Sequence, residues 1–326
     1  MSKILALVLA GGNGTRLHPL TAEHAKPALP FANGYRVIDF VLSNLVNSQI
    51  APIHVLVQYK PHSLIEHLRT AWAPWSPTAQ RGISVVAPQT DGDFKGTADA
   101  VYRNLDLVER EKPDLVAVFA ADHVYRMDVR QMIEFHLRSE AEVSVAAVPV
   151  PLAAASEFGI IGLGADGRIA DFQEKPARPA AIPGDPGRAY ASKGNYLFNP
   201  DVLIALLENA NRRGDTDFGR HVLPRALDSH RVLAYDFAGN VVPGIKPYEE
   251  RAYWRDIGTL DAYRAAQRDV LGPLPRFDLV NPEWPIRGDR NRLHRNTVAG
   301  RAPALARLQT VADARMQRSD SGTTTP

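Results

Sequence analysis

Cysteine is absent from all 326 residues. That excludes disulfides, thiolate metal sites and a thiol nucleophile, and it fits a reducing compartment. A strong charge of either sign is also lacking: the formal net charge is +2, which makes no case for a nucleic-acid-binding face. Long apolar runs are missing too. The uncharged stretch from Val143 to Ala155 is too short to span a bilayer and is interrupted by Pro149 and Pro151. Lys3 and the apolar run after it mimic the start of a secretory signal, but the run ends in Gly11-Gly12 without a small-residue cleavage site. These features predict a soluble, cytoplasmic protein without a membrane or nucleic-acid partner. Two familiar nucleotide signatures are missing as well. There is no G-x-x-x-x-G-K-[ST], and Gly12-x-Gly14 is not followed by the third glycine of a dinucleotide fingerprint.

What is present begins at residue 4. The run Ile4-Leu5-Ala6-Leu7-Val8-Leu9-Ala10 reads as a strand buried on both faces, and it leads into Gly11-Gly12-Asn13-Gly14-Thr15-Arg16-Leu17. Glycines permit left-handed backbone and close amide approach to a phosphate, and Arg16 adds forked donors for its oxygens. The alternative is a strand-to-helix turn that binds nothing. Further strand-like runs occur at Ile53–Val57, Ile83–Val86, Leu115–Ala120 and Val143–Val150. Between them, Ile38, Val41, Leu42, Leu45 and Val46 recur at helical spacing, as do Leu64, Ile65 and Leu68. This alternation predicts an α/β fold with a mostly parallel, Rossmann-like sheet and flanking helices, with ligands at the carboxyl ends of the strands. Shorter runs at Gly159–Leu163, Ile169–Gln173, Tyr190–Phe198 and Val232–Phe237 predict a smaller antiparallel lobe. Thr259 is placed to cap a helix carrying Leu260 and Tyr263.

Asp122 follows the strand Leu115–Ala120, where a carboxylate suits a metal held against phosphates, or else an ordinary helix cap. Asp256, in Tyr253-Trp254-Arg255-Asp256-Ile257-Gly258-Thr259, closes a short strand in the same way. Two aspartates suffice for Mg²⁺, which keeps waters and phosphate oxygens as its other ligands. Glu174-Lys175-Pro176 offers a hydroxyl acceptor and an ammonium, or merely a solvated charged turn. Gly96-Thr97 opens a helix start suited to anions or polar ligand edges. No Ser/His/Asp or metal-His spacing stands out, and the histidines read as surface or hydrogen-bonded structural groups.

From about residue 4 to Arg287 the chain closely resembles bacterial glucose-1-phosphate adenylyltransferases. The resemblance rests on Leu9-Ala10-Gly11-Gly12-x-Gly14-Thr15-Arg16-Leu17, Ala25-Lys26-Pro27-Ala28, Ile38-Asp39-Phe40-x-Leu42-Ser43-Asn44 and Gln58-Tyr59. It continues through Gly96-Thr97-Ala98-Asp99, Asp122-His123-x-Tyr125, Phe158-Gly159, Glu174-Lys175-Pro176 and Ala191-Ser192-x-Gly194. Asp217-Phe218-Gly219, Tyr253-Trp254-Arg255-Asp256-x-Gly258-Thr259-Leu260 and Trp284-Pro285-Ile286-Arg287 complete it. The glycine loop and the Glu-Lys-Pro turn are common to sugar nucleotidyltransferases, whereas the segments around Asp39 and Trp254 are closer to the adenylyltransferase branch.

The resemblance implies ATP and α-D-glucose 1-phosphate as substrates, Mg²⁺ as cofactor, ADP-glucose as product and a place in glycogen or α-glucan synthesis. It implies that Gly11, Gly12, Gly14, Thr15, Arg16 and Lys26 hold the phosphates of ATP and that Gln89 contacts the base, with Gly96 and Thr97 expected to bind substrate. Asp122 and Asp256 would hold the metal. Gly159, Glu174 and Ser192 would contact the sugar, and Lys175 its phosphate. Arg16, Lys26, Asp122 and Lys175 are the expected catalytic set.

Three departures stand out. Ala120-Ala121 replaces a pair that usually contains glycine, and the segment from Ala87 to Lys95 is shorter than the family's loop. After Arg287 the family's left-handed β-helix periodicity does not follow. The expected organisation is therefore a catalytic domain over 1–287 and an Arg/Ala-rich, largely disordered tail over 288–326. Family members are homotetramers; this chain is expected not to be one, with Pro282-Glu283-Trp284-Pro285-Ile286 as an exposed apolar edge. A nucleotidyltransferase with another base or sugar, or a non-catalytic nucleotide-binding product, remain the alternatives.

Overall fold

The computed structural model describes residues 2–32, 34–75, 82–88 and 93–289. In chain order its strands are β1 (Ile4–Ala10), β2 (Pro30–Phe31), β3 (Tyr35–Arg36), β4 (Ile53–Val57), β5 (Ile83–Val86), β6 (Leu115–Ala120) and β7 (His123–Tyr125). They continue as β8 (Val143–Pro151), β9 (Gly159–Leu163), β10 (Ile169–Glu174), β11 (Arg188–Phe198), β12 (Val232–Asp236) and β13 (Trp254–Asp256). Strand β1 is almost wholly buried, as its unbroken apolar sequence requires, and runs parallel to both β4 and β6. With β5 parallel to β4, these strands form the expected parallel unit. Helices Ile38–Asn47 and His62–Ala71 flank it, and their apolar residues join the core on one face of the sheet.

The expected antiparallel part is present, and its strands are joined directly to the parallel unit. Strand β11 pairs antiparallel with β6, β8 and β9, which carries the sheet onward, and nine of the described strands make one sheet, with β7–β13 and β2–β3 as separate two-stranded pairs. Pairing of β11 with β8 shifts register between Ser192 and Tyr196, a bulge of the kind that re-aims side chains beside functional sites. Gly194 makes this bend with φ +67, and a Cβ there would lie 3.2 Å from Ala120 Cβ, at the carboxyl end of β6. Thr259 caps its helix as expected, its Oγ1 accepting from Ala262 N at 3.2 Å. Among the described residues, no helix is long and apolar enough to cross a membrane.

The segment expected to be an exposed edge is instead docked. Trp284 and Ile286 are 3% and 4% exposed. Trp284 Nε1 donates to Asn44 Oδ1 at 3.3 Å, Asn47 Nδ2 donates to Pro285 O at 3.0 Å, and Arg287 N donates to Ser43 Oγ at 2.8 Å. The polar residues of the Ser43–Asn47 helix face thus bind the backbone and indole of the returning chain. Gly288 and Asp289 still pack on the body, Asp289 N donating to Gly34 O at 3.0 Å. Residues 290–326, read from the sequence as a disordered tail, lie outside the described residues. Replacing Trp284 by Ala should cost about 3–5 kcal/mol through the cavity left behind. Urea denaturation measures this, and a loss below about 1 kcal/mol would mean the dock is only loosely packed.

Candidate active site

Three chain segments far apart in sequence meet where β1 and β6 end. Ala121 N donates to Leu9 O at 3.2 Å, which holds Asp122 beside the start of the glycine loop. Strand β13 pairs antiparallel with β7 and sets Asp256 opposite His123. Lys26 lies on a short helical turn, Lys26–Ala28, beneath the loop. Its ammonium donates to Asp122 Oδ2 at 2.7 Å and Asp256 Oδ1 at 3.0 Å.

Charge decides the state of this cluster. Burial alone would depress the Lys26 ammonium, but Asp122 and Asp256 outweigh it and raise its pKa above the ordinary lysine value. Burial likewise pushes the Asp122 carboxyl up, yet the Lys26 ammonium more than offsets that and holds it well below the usual carboxylate range. The Asp122 side chain keeps 34% of its surface open toward the cleft, so the ammonium dominates. His123 is different. Burial lowers its pKa despite both carboxylates, leaving a neutral ring at pH 7 with Nε2 3.3 Å from Asp122 Oδ1.

The three side chains Asp122, His123 and Asp256 offer ligand atoms within 4.8 Å of one another. Among the described residues, Asp122 Oδ1 is buried without a hydrogen-bond partner. A carboxylate pair with an unsatisfied oxygen fits a hard divalent cation, which prefers oxygen ligands. The sequence reads the histidines as surface or hydrogen-bonded structural groups. His67 and His136 do have structural partners, in Asp39 and in Ser144 and Asn199, but His123 belongs to the carboxylate cluster. Its signal was adjacency to Asp122, which the absence of a His-His spacing obscured.

A cleft of about 300 Å³ opens beside the cluster. Of the residues singled out in the sequence, Gly11, Gly12, Lys26, Gly96, Thr97 and Asp122 line it. Gly14, Thr15 and Arg16 form the turn at one side. Gly14 adopts φ +59, and a Cβ there would fall 2.9 Å from Thr21 Cγ2 and 3.3 Å from Lys26 Cβ. The glycine therefore serves both the turn and the placement of Lys26. Arg16 pairs with Glu157, while a Cβ at Gly258 would approach Arg16 Nη2 at 3.2 Å and Asp256 Oδ2 at 2.7 Å. Arg16 thus lies near the carboxylates. Gln89 falls outside the described residues.

The opposite wall comes from Asp217, which the sequence quoted without a role. Thr97 Oγ1 donates to Asp217 Oδ2 at 3.0 Å and accepts from Phe218 N at 3.0 Å. Gly96 must be glycine here, because a Cβ would lie 2.4 Å from Thr216 O. Gln58 and Phe94 also line the cleft, with Gln58 Nε2 donating to Phe94 O at 3.1 Å.

Glu174 sits beyond Asp217, in a cradle of two glycines. A Cβ on Gly159 would meet Glu174 Oε2 at 3.0 Å, and one on Gly219 would meet it at 2.8 Å. Burial raises the Glu174 carboxyl above its ordinary value, and Lys175 partly counters this from 3.5 Å. Lys175 turns through φ +50 and leaves its side chain 51% exposed. Ser192 stands at the β11 bulge, its Oγ accepting from Gly194 N at 3.2 Å. Glu174, Lys175, Gly159 and Ser192 do not line the 300 Å³ cleft itself. They adjoin it through Gly219 and through the contact between Gly194 and Ala120. Chemically, the arrangement offers a metal-capable carboxylate pair, two cations for phosphates, and a polar extension suited to a hydroxylated ligand.

Comparison with known proteins agrees with this chemistry. Residues 5–272 match the family described as nucleotidyl transferase. The chain is 53% identical over 290 residues to a glucose-1-phosphate adenylyltransferase from Thermodesulfovibrio yellowstonii, covering 88% of this chain and 71% of that protein. It is 48% identical over 296 residues to the enzyme of the same name from Thermus thermophilus, covering 87% and 71%. A third, from Streptomyces avermitilis, is 48% identical over 288 residues, covering 87% and 71%.

Proposed function

This chain belongs to the glucose-1-phosphate adenylyltransferase family of nucleotidyl transferases, and we propose that it makes ADP-glucose from ATP and α-D-glucose 1-phosphate. The observation that carries the reading is the Lys26 bridge between Asp122 and Asp256 at the mouth of the glycine-loop cleft. A phosphate oxygen of the sugar phosphate attacks the α-phosphorus of ATP. The new P–O bond forms as the bond from that phosphorus to the β-phosphate oxygen breaks, and pyrophosphate leaves with the electron pair. The nucleophile is already an anion, so no general base is needed; positioning and charge neutralisation carry the catalysis.

Within that scheme the Gly11–Arg16 turn and Lys26 bind the triphosphate. Gly96 and Thr97 meet the rest of the nucleotide, with Gln89 expected at the base. Glu174, Gly159 and Ser192 orient the sugar, and Lys175 binds its phosphate. Asp122 and Asp256 would hold Mg²⁺, which supplies Lewis-acid neutralisation of the phosphate oxygens. A cytoplasmic setting follows from these two substrates, and the product suits glycogen or α-glucan synthesis.

Pyrophosphate release, assayed over a panel of nucleoside triphosphates and sugar 1-phosphates with Mg²⁺, tests the reading. ATP with glucose 1-phosphate is expected to lead. Preference for another base or sugar would reassign specificity within the family, and no turnover with any pair would leave only nucleotide binding. Lys175→Ala should raise KM for glucose 1-phosphate about 10–100-fold with KM for ATP nearly unchanged, because one charge-assisted contact to one substrate is lost. Equal effects on both substrates would assign Lys175 a structural role instead.

A further inference from the structure

One positive charge already joins the two carboxylates. Lys26 Nζ lies 2.7 Å from Asp122 and 3.0 Å from Asp256, and its side chain is only 9% exposed. The stem is packed as well, since a Cβ on Gly14 would come within 3.3 Å of Lys26 Cβ. A divalent cation drawing on both carboxylates would stand against this ammonium, and like charges in a partly buried site repel strongly. The ammonium also borders the cleft with Gly11, Gly12, Gly96 and Thr97, where a polyphosphate offers it other oxygens.

We infer that Lys26 is the resident counter-ion of the carboxylate pair and couples metal binding to nucleotide binding. The free protein holds a divalent metal weakly. The nucleotide draws the ammonium onto its phosphates, frees both carboxylates and brings the negative charge that lets the metal and the lysine coexist. By linkage, the metal strengthens nucleotide binding by the same factor. This rests on reading Asp122 and Asp256 as the metal ligands of the proposed reaction.

The test titrates Mn²⁺ alone, by calorimetry at pH 8, into the wild-type protein, Lys26→Met and Asp122→Asn, with and without α,β-methylene-ATP. Lys26→Met is expected to bind Mn²⁺ alone about 10–100-fold more tightly than wild type. The nucleotide analogue should tighten Mn²⁺ binding to wild type more than to Lys26→Met. Equal or weaker Mn²⁺ affinity in Lys26→Met overturns the counter-ion role. Mn²⁺ binding that is indifferent to Asp122→Asn overturns the metal reading beneath it, even if the protein still makes ADP-glucose. The wild-type protein provides a check should Lys26→Met fail to fold. Acetylation of Lys26 by acetic anhydride, followed by peptide mass spectrometry, should rise severalfold when Mn²⁺ is added at high concentration. An unchanged yield would overturn the inference.

Discussion

Asp122→Asn and Asp256→Asn are each expected to lower kcat at saturating Mg²⁺ by about 10³-fold or more. Each substitution removes one of the two carboxylate charges available to a cation at the reacting phosphates. Charge stabilisation in a site of this kind is worth several kcal/mol in the transition state, and each 1.36 kcal/mol is tenfold in rate. The amide is nearly isosteric, and Lys26 keeps its hydrogen bond to the remaining carboxylate at 2.7 or 3.0 Å. Urea unfolding of the variants should therefore show a fold that persists while turnover is lost. Near-wild-type kcat in either variant would remove that residue from the metal site.

Lys193→Met is expected to stabilise the protein by about 2 kcal/mol at pH 7, and to do so less as pH rises. Lys193 is completely buried on β11, and its Nζ has no hydrogen-bond partner among the described residues. The amine lies against the rings of Tyr125 and Phe237. Burial drives its pKa well below the ordinary lysine value. The sign follows from comparing the two states. The unfolded chain binds a proton at Lys193 up to about pH 10.4, whereas the folded chain releases it far lower. Between those two pKa values the unfolded state holds more protons, so Lys193 makes stability climb with pH and fall as pH drops toward the folded value. Methionine removes both the slope and the buried polar group, and its flexible stem fills similar space. Denaturant titrations at pH 7 and pH 10 measure the effect. A variant less stable than wild type at pH 7, or with the same pH slope, would mean that the amine is charged and satisfied in the fold.

Much of the site was legible because its elements are local. A short unbroken apolar run followed by glycines favours a doubly buried strand entering a backbone-lined turn, and β1 with the Gly11–Arg16 segment is that. Asp122 declared itself by following β6, Asp256 by ending the short β13, and Thr259 by standing one residue before a helical pattern. Lys193 and Trp284 were not legible in this way. A lysine inside a strand gives no sign of which face it will present once a bulge intervenes at Ser192–Tyr196. A tryptophan near the end of a folded region shows nothing of the Asn44 carbonyl oxygen waiting for its indole.

By itself, then, the chain dictated its alternating strands and helices, its parallel unit and the residue types of a phosphate-handling site. Those depend on hydrophobic period, backbone freedom and charge within a few residues. Tertiary structure alone decided that Lys26 reaches Asp122 across 96 positions and Asp256 across 230, and that the antiparallel strands extend the main sheet. It alone decided that His123 is neutral beside two carboxylates and that Glu174 is cradled between two glycines. Desolvation and Coulomb interaction depend on distance in space, and only the folded chain sets those distances.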